Sequence, residues 1–159
     1  MQKQNNNIVL RKNQLQVAIG VDVIQSFKEI QRSGSFHVEQ GGILAGYYDK
    51  WIDGIIISDI TYPQDEDVCG QFRFSRKSSG HQKIMDKLWE TSEHTKSYIG
   101  EWHTHNQKNP EPSWIDVSNW KKIAKRKQNF DELFFVIVGT HNIGIWCVNY
   151  NRSVKIGTV

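Results

Sequence analysis

Two histidines, a serine and an aspartate stand in this sequence at the spacing expected around a metal ion. His103 and His105 are two residues apart, and Ser113 and Asp116 follow after seven intervening residues. Side chains two apart on a β-strand leave the same face, so both imidazoles can reach one ion. If Ser113 opens a helix, Asp116 lies one turn in and can direct its carboxylate to the same ion. The pattern predicts a catalytic metal site with three protein ligands and a fourth position for water.

Two imidazoles and one carboxylate are a donor set that suits zinc, which lowers the pKa of bound water from about 15.7 to ~7. Hydrolysis at such a site also needs a group that takes a proton from water and delivers it to the leaving amine. The Ser113 hydroxyl cannot do this, but it could donate a hydrogen bond to an oxyanion. The proton carrier should therefore be a carboxylate. Glu101 shares a strand face with both histidines. It is therefore either a candidate for the proton carrier or a hydrogen-bond partner for an imidazole N–H.

The combined pattern of HxH, seven residues and SxxD resembles the signature of the JAB/MPN (JAMM) metalloproteases, over about residues 20 to 150. That family also has a glutamate at the start of a glycine-containing strand, and Glu39 in the run 38–46 matches it. The resemblance implies an α+β fold of the MPN/JAB (cytidine-deaminase-like) type. Such a fold has a mostly antiparallel sheet flanked by about three helices.

The same resemblance implies a role for each residue of the pattern. His103, His105 and Asp116 are expected to hold one Zn²⁺ per chain. Glu39 is expected to act first as the general base and then as the general acid. Ser113 is expected to stabilise the tetrahedral intermediate.

A narrower resemblance rests on residues 98–105, 72–74 and 81–82, which are similar to the stand-alone bacterial JAB proteins of CBASS antiphage operons. Those proteins resemble deubiquitinating enzymes and cut the bond between the C-terminus of a cGAS-like nucleotidyltransferase (CD-NTase) and its target. Partner proteins similar to E1 and E2 ligation enzymes make that bond. The resemblance implies an isopeptidase or peptidase that cleaves after a ubiquitin-like or CD-NTase C-terminal tail. The sequence departs from these proteins at Asn106, where they usually have proline.

Three other functions fit parts of the sequence. The same site would serve to process another bacterial ubiquitin-like protein or a sulfur-carrier protein. A non-catalytic MPN scaffold would bind partners without chemistry, but such modules usually lose ligands that this chain keeps. A nucleic-acid-binding module is the least favoured, since it rests only on a basic helical face that is more simply a solvated one. That face comprises Lys121, Lys122, Lys125, Arg126 and Lys127.

The motif residues also have plainer interpretations. His103 and His105 could simply alternate on a half-exposed strand. Ser113 and Asp116 fit a helix capping box, in which each side chain bonds the other residue's backbone N–H. Glu39 could be a solvated residue before a strand. One residue can both cap a helix and bind a metal, so only detection of a bound metal distinguishes those two interpretations.

Two tryptophans and two glycines near the motif could shape a substrate channel. Trp102 and Trp114 flank the proposed ligands, and channel walls and core packing are equally good interpretations. Gly41 and Gly42 could let an extended substrate tail approach the backbone closely, as in β-augmentation. The remaining histidines lack metal-ligand spacing and are expected to be ordinary: His37, His81, His94 and His141.

The bulk properties favour a single domain over residues 1–159, with residues 1–6 frayed. The net charge of +3 does not demand a nucleic-acid partner. No apolar run approaches the roughly 20 residues that span a bilayer, and the first residues lack the pattern of a secretory signal. Only Cys69 and Cys147 are present, in no CxxC pair, which favours a reducing, cytoplasmic compartment.

Hydrophobic periodicity predicts three helices, at residues 21–32, 80–91 and 113–127. It predicts strands at 8–10, 42–48, 51–62, 72–74, 97–102, 133–138 and 143–148. A turn at Asp49-Lys50, a polar loop at 63–70 and a turn at 139–142 separate some of them.

Overall fold

A mixed β-sheet with helices on both faces makes up the structure, a computed structural model that describes residues 7–126 and 130–159. In that part of the chain the helices are α1 (Val21–Ser33), α2 (Ser78–Thr91) and α3 (Trp114–Ala124). The strands are β1 (Ile8–Lys12), β2 (Leu15–Ile19), β3 (Gly41–Asp49), β4 (Gly54–Ile60), β5 (Val68–Gly70), β6 (Arg73–Ser75), β7 (Ser97–Thr104), β8 (Leu133–Val138), β9 (Ile143–Val148) and β10 (Ser153–Thr158).

Eight of the described strands form one sheet in the order β1-β2-β4-β3-β7-β8-β9-β10, and β5 and β6 form a separate hairpin. The pairs β2–β4 and β7–β8 are parallel, and the other pairs are antiparallel. The predicted α+β class, with a mostly antiparallel sheet and about three helices, is therefore confirmed for these residues.

The central strands read as continuous apolar runs because helices cover both of their faces. Every residue of β8 and β9 is buried. On one face Phe134 packs in a cluster with Phe27 of α1, and on the other Phe135 stacks on Trp120 of α3. The α2 helix packs through Met85 against β3, on the same face as α3. Burying side chains of this size contributes about 1.5–3 kcal/mol each.

Several predicted boundaries hold and others were wrong. The strands at 133–138 and 143–148 match to the residue, and β7 extends two residues further than predicted, to Thr104. The third helix ends at Ala124 instead of continuing to Lys127, which lies outside the described residues, as do residues 1–6. The turn predicted at Asp49-Lys50 continues to Asp53, which has a positive φ of 47°, so β4 begins only at Gly54.

Three strands were not predicted. The segments that form β2 and β10 contain both polar and apolar residues. Each becomes a strand by pairing with another strand of the sheet, β2 with β4 and β10 with β9. The predicted polar loop at 63–70 ends in β5, a three-residue strand that pairs with β6. Within the described residues, no helix combines the length and apolar character needed to cross a membrane.

A bulge in β7 sets the direction of the motif side chains. Leu44 of β3 pairs with Gly100 but Ala45 pairs with Tyr98, so β7 carries one extra residue at this point. A one-residue shift moves the following side chains to the opposite face of a sheet. As a result Trp102 joins the core beneath α1, and His103 points to the face that carries α2 and α3.

Gly100→Ala should destabilise the protein by more than about 4 kcal/mol, enough to remove most of a typical domain's stability. Gly100 has φ +150°, and a Cβ there would lie 1.7 Å from the Phe134 carbonyl oxygen of the paired strand. Because that obstacle is backbone in the middle of the sheet, it cannot move aside. Chemical denaturation of the purified variant measures the loss.

Gly34→Ala is the matched control for this substitution. Gly34 also has a positive φ, +66°, but nothing lies within 4 Å of its added Cβ. It ends α1 in a left-handed conformation, where alanine costs only about 1–2 kcal/mol. Equal losses for the two variants would contradict the role assigned to the close β7–β8 approach.

Candidate metal centre

The two imidazoles of the motif meet at the end of β7. His103 is the seventh residue of that strand, and His105 is the first residue after the strand ends. Their Nε2 atoms lie 3.0 Å apart. The backbone holds this end in place, since Thr104 N–H donates to the Gln40 carbonyl at 2.8 Å and His105 N–H donates to the Val138 carbonyl at 3.0 Å.

Asp116 brings a carboxylate to the same point from the first turn of α3. Its Oδ1 lies 3.5 Å from His103 Nε2, and its Oδ2 lies 3.5 Å from His105 Nε2. The three predicted ligand residues are thus brought together, with their donor atoms all within 4.8 Å of one another. Zinc bonds of about 2.0–2.1 Å in tetrahedral geometry imply ligand–ligand separations of roughly 3.3 Å. The two imidazole nitrogens lie 3.0 Å apart and each lies 3.5 Å from a different oxygen of Asp116, so the separations are close to that value.

The other ring nitrogen of His105 has the partner that a metal-binding histidine requires. Nδ1 lies 3.0 Å from the Glu111 carbonyl oxygen, so Nδ1 carries the proton and donates it there. This fixes the tautomer and leaves the Nε2 lone pair directed at the cluster. No residue pattern predicts this contact, because the acceptor is a backbone atom in the loop.

Electrostatics within the cluster favour a cation. Burial disfavours ionisation of Asp116, but hydrogen bonds from His103, His105 and Ser113 hold the pKa of Asp116 well below its usual value. Burial also disfavours a charged His105, and Asp116 and Glu39 nevertheless raise the pKa of His105. The Asp116 and Glu39 carboxylates stabilise a positively charged imidazole, and they would stabilise a bound metal ion in the same way.

Ser113 caps α3, as the second interpretation of SxxD predicted. The Ser113 hydroxyl accepts from Asp116 N–H at 3.1 Å, and Asp116 Oδ2 accepts from Ser113 N–H and from its hydroxyl, each at 2.7 Å. Both halves of a capping box are therefore present. Since the same Asp116 carboxylate faces both imidazoles, capping and facing the cluster coexist in one residue.

Glu39 lies beside this cluster, although it comes from a segment more than sixty residues earlier in the chain. Its Oε1 is 3.7 Å from His105 Nε2. Burial raises the pKa of Glu39 above its usual value, against the opposing influence of the two histidines and the Phe74 backbone N–H. A carboxylate with a raised pKa is a better proton acceptor near neutral pH.

The position of Glu101 differs from the predicted one. Its carboxylate was expected to accept from an imidazole N–H or to act as a rival base. Instead Oε1 accepts from Arg76 Nη2 at 2.7 Å, from Arg76 Nε at 3.1 Å and from the Tyr98 hydroxyl at 3.2 Å. Arg76 was not singled out from the sequence, because nothing in its local spacing relates it to Glu101.

The two tryptophans have different environments. Trp102 is 1% exposed and its Nε1 donates to the Thr61 carbonyl at 2.9 Å, so its side chain packs in the core, at the border of the cavity. Trp114 is 80% exposed and lines the cavity above the cluster. Phe72, in the turn between β5 and β6, is 84% exposed and lines the same cavity, and no spacing in the sequence relates it to the motif.

The close approach predicted at Gly41 and Gly42 is made by the protein's own chain. A Cβ on Gly41 would lie 2.6 Å from the ring of Phe74, and one on Gly42 would lie 2.0 Å from the Thr61 carbonyl oxygen. These glycines are buried and pair with His103 and Trp102. They therefore admit neighbouring protein atoms, which corrects their interpretation as a place for a substrate tail.

Hydrogen bonds hold the loop that contains Asn106. Gln107 accepts from Thr140 N–H through its carbonyl at 2.8 Å, and Lys108 accepts from Asn142 N–H at 3.0 Å. These bonds join the loop to the β8–β9 turn, so asparagine in place of proline does not leave this loop without support.

A cavity of about 1040 Å³ opens above the cluster and could hold an extended peptide. Its walls come from the β5–β6 hairpin on one side and from α3 on the other. The lining includes the candidate site residues Glu39, His103, His105, Ser113, Trp114 and Asp116.

Comparison with known proteins agrees with this fold. The family described as prokaryotic homologues of the JAB domain matches residues 22–153. A "CD-NTase/cGAS isopeptidase" of Pseudomonas aeruginosa is 30% identical over 77% of this chain and 76% of its own length. Another protein of that name, from Escherichia coli, is 31% identical over 65% of each chain.

A solved structure shows the same architecture at low sequence identity. The solution structure of a Desulfitobacterium hafniense protein has a TM-score of 0.61 and 15% identity, covering 87% of this chain and 88% of the other. That likeness concerns the fold alone. The family match covers most of the chain, and the chain therefore belongs to the prokaryotic homologues of the JAB domain.

Proposed function

We propose that this protein is a zinc-dependent isopeptidase or peptidase that cleaves the bond after the C-terminal tail of a ubiquitin-like protein or CD-NTase. The convergence of two imidazole nitrogens and one carboxylate within 4.8 Å, in an open cavity beside a half-buried glutamate, carries the proposal. His103, His105 and Asp116 would hold the zinc. When bound there, the metal supplies a water of lowered pKa and so a nucleophile near neutral pH.

The chain's own residues would then manage the proton and the developing charge. Glu39 would accept the proton of the attacking water and deliver it to the nitrogen of the leaving amine. The Ser113 hydroxyl would donate a hydrogen bond to the oxyanion, exchanging Asp116 for the substrate oxygen as its acceptor. The Phe72 and Trp114 side chains, both exposed above the cluster, would pack on the apolar part of an extended tail.

The names of the two relatives support a CD-NTase C-terminus as the acyl side of the scissile bond. In that case the protein would reverse conjugates made by E1- and E2-like ligation proteins in bacterial antiphage defence. Cleavage of another ubiquitin-like protein or of a sulfur carrier would use the same residues at the metal. A non-catalytic scaffold would need none of them.

The protein should cleave a CD-NTase joined through its C-terminal carboxylate to a lysine of a target protein, and a chelator should stop the reaction. Restoring zinc to the chelated protein should recover the rate, because the site geometry fits a tetrahedral ion. Gel separation and mass spectrometry of the released tail measure the cleavage and identify the bond.

Two further arms separate the alternative functions. A ubiquitin-like or sulfur-carrier protein fused at its C-terminus to a reporter tests the other processing activity. Cleavage of that fusion with no cleavage of the CD-NTase conjugate would replace the substrate but keep the chemistry. Binding of conjugates without cleavage of either, in zinc-loaded protein, would instead indicate the scaffold and refute the proposal.

A further inference from the structure

A buried hydrogen-bonded network of three polar side chains, Thr61, His81 and Asp67, lies outside the metal cluster. It ends at the hairpin beside Glu39. His81 of α2 is fully buried. Its Nδ1 lies 2.6 Å from the Thr61 hydroxyl, and its Nε2 lies 2.7 Å from Asp67 Oδ2. The side chains of His81 and Asp67 both have 0% exposure, so no substrate can reach them.

The hydrogen bonds of this network all run in one direction, from Thr61 through His81 to Asp67. Thr61 Oγ1 accepts from Ile43 N–H at 2.8 Å, which leaves its own proton to be donated to His81 Nδ1. Nε2–H of His81 then donates to Asp67. Although burial opposes ionisation of Asp67, bonds from Gln64 N–H, Lys77 N–H and His81 hold its pKa below the usual value, so it is an acceptor. Fully satisfied buried networks of this kind are rigid.

Asp67 closes the segment between β4 and α2. Its Oδ2 accepts from Gln64 N–H at 2.8 Å and its Oδ1 accepts from Lys77 N–H at 2.7 Å, so one carboxylate joins the two ends of residues 64–77. The β5–β6 hairpin lies inside that segment. His81 therefore fixes the base of the hairpin to α2.

The hairpin in turn holds Glu39. Gly70, the last residue of β5, accepts from Glu39 N–H at 2.7 Å. The Phe74 backbone N–H faces the Glu39 carboxylate and its ring packs on Gly41. A second tie, the Arg76–Glu101 ion pair at 2.7 Å, holds the end of β6, so losing His81 should loosen the hairpin without releasing it.

We propose that His81, through Asp67 and the β5–β6 hairpin, is a positioning residue that holds Glu39 in reach of the metal cluster. The inference rests on the proposed function, in which Glu39 carries the proton. His81 touches neither substrate nor metal ligand, so its substitution should lower the rate of the chemical step and leave metal affinity unchanged, with a smaller effect on KM through Phe72 of the hairpin.

A pair of substitutions tests each side of the imidazole separately. Glutamine at position 81 is long enough to keep a donor near the Nε2 position and so the Asp67 contact. Asparagine is shorter and reaches only the Nδ1 position, near Thr61. His81→Asn should lower kcat at least about tenfold, since displacements of about 1 Å can cost a hundredfold, whereas His81→Gln should stay within about threefold. Zinc content should be unchanged in both, and KM should change by less than kcat.

Met85→Ala is the control for general loss of stability, since Met85 is buried on the same helix but packs against β3. Hydrogen exchange measured by mass spectrometry adds a direct readout. Peptides covering residues 36–41 and 68–76 should exchange faster in His81→Asn than in His81→Gln or Met85→Ala, while β8 peptides should not differ.

Equal kcat losses in His81→Asn and His81→Gln, or an equal loss in Met85→Ala at matched stability, would overturn the proposal. So would faster hairpin exchange in His81→Asn with kcat unchanged. Failure of the proposed function would look different, because wild-type protein would then cleave no conjugate. In that case the exchange measurement alone still decides whether His81 holds the hairpin.

Discussion

Replacing Glu39 by glutamine should leave zinc bound and lower turnover of a conjugate by about a hundred- to ten-thousandfold. Oε1 of Glu39 lies 3.7 Å from His105 Nε2, but Glu39 is not one of the three residues whose donor atoms lie within 4.8 Å of one another. Glutamine keeps the size of the side chain and loses the ability to accept and return a proton. Zinc content by mass spectrometry, with kcat measured on the same preparation, checks both parts.

Glu101→Gln is the matched control, because Glu101 is a carboxylate lining the same cavity. Its oxygen is held by Arg76 and Tyr98, so its substitution should reduce kcat by less than about tenfold. If Glu101→Gln abolished turnover while Glu39→Gln remained active, the roles of the two carboxylates would be exchanged. Loss of zinc from Glu39→Gln would instead make Glu39 a ligand.

The site could be predicted from the sequence where regular structure dictates its geometry. His103 and His105 converge because residues two apart leave one face of an extended chain, and Asp116 reaches them because Ser113 begins a helix. Both rules act over a few residues, so the local spacing was enough. The position of Glu39 came from a family resemblance, since nothing local relates it to residues more than sixty positions away.

The tryptophans show where local reasoning stops. Trp102 and Trp114 are each next to a candidate site residue, yet one is buried in the core and the other is exposed. The burial of Trp102 depends on the β7 bulge between Tyr98 and Gly100, which moves the later side chains of the strand to the opposite face. A bulge is a product of the pairing with β3, and a single strand's sequence does not encode it visibly.

The supporting contacts were the hardest to predict. His105 donates to a backbone carbonyl, and His81 joins Thr61 and Asp67 across three separate segments of the chain. His81 was expected to be an ordinary histidine because it has no metal-ligand spacing. That spacing argument remains correct, but it says nothing about a buried histidine whose two partners become neighbours only after folding.

Asp116→Ala should abolish zinc binding, whereas Ser113→Ala should leave zinc bound while it weakens the start of α3 and removes the proposed oxyanion donor. Each substitution removes one half of the capping box, which costs about 1 kcal/mol. Only the first removes the carboxylate that lies 3.5 Å from each imidazole. The loss of zinc affinity should exceed the ten- to hundredfold that is typical for a residue that merely orients a ligand.

Thermal unfolding with and without zinc separates the two roles of Asp116 in one measurement. A ligand that binds only the folded state adds about 2.7 kcal/mol at a hundredfold excess over its Kd. Zinc should therefore raise the Tm of the wild type and of Ser113→Ala by similar amounts, and should leave Asp116→Ala unchanged. If zinc stabilised all three proteins equally, Asp116 would be a helix cap and nothing more, and the predicted metal site would lose its only carboxylate ligand.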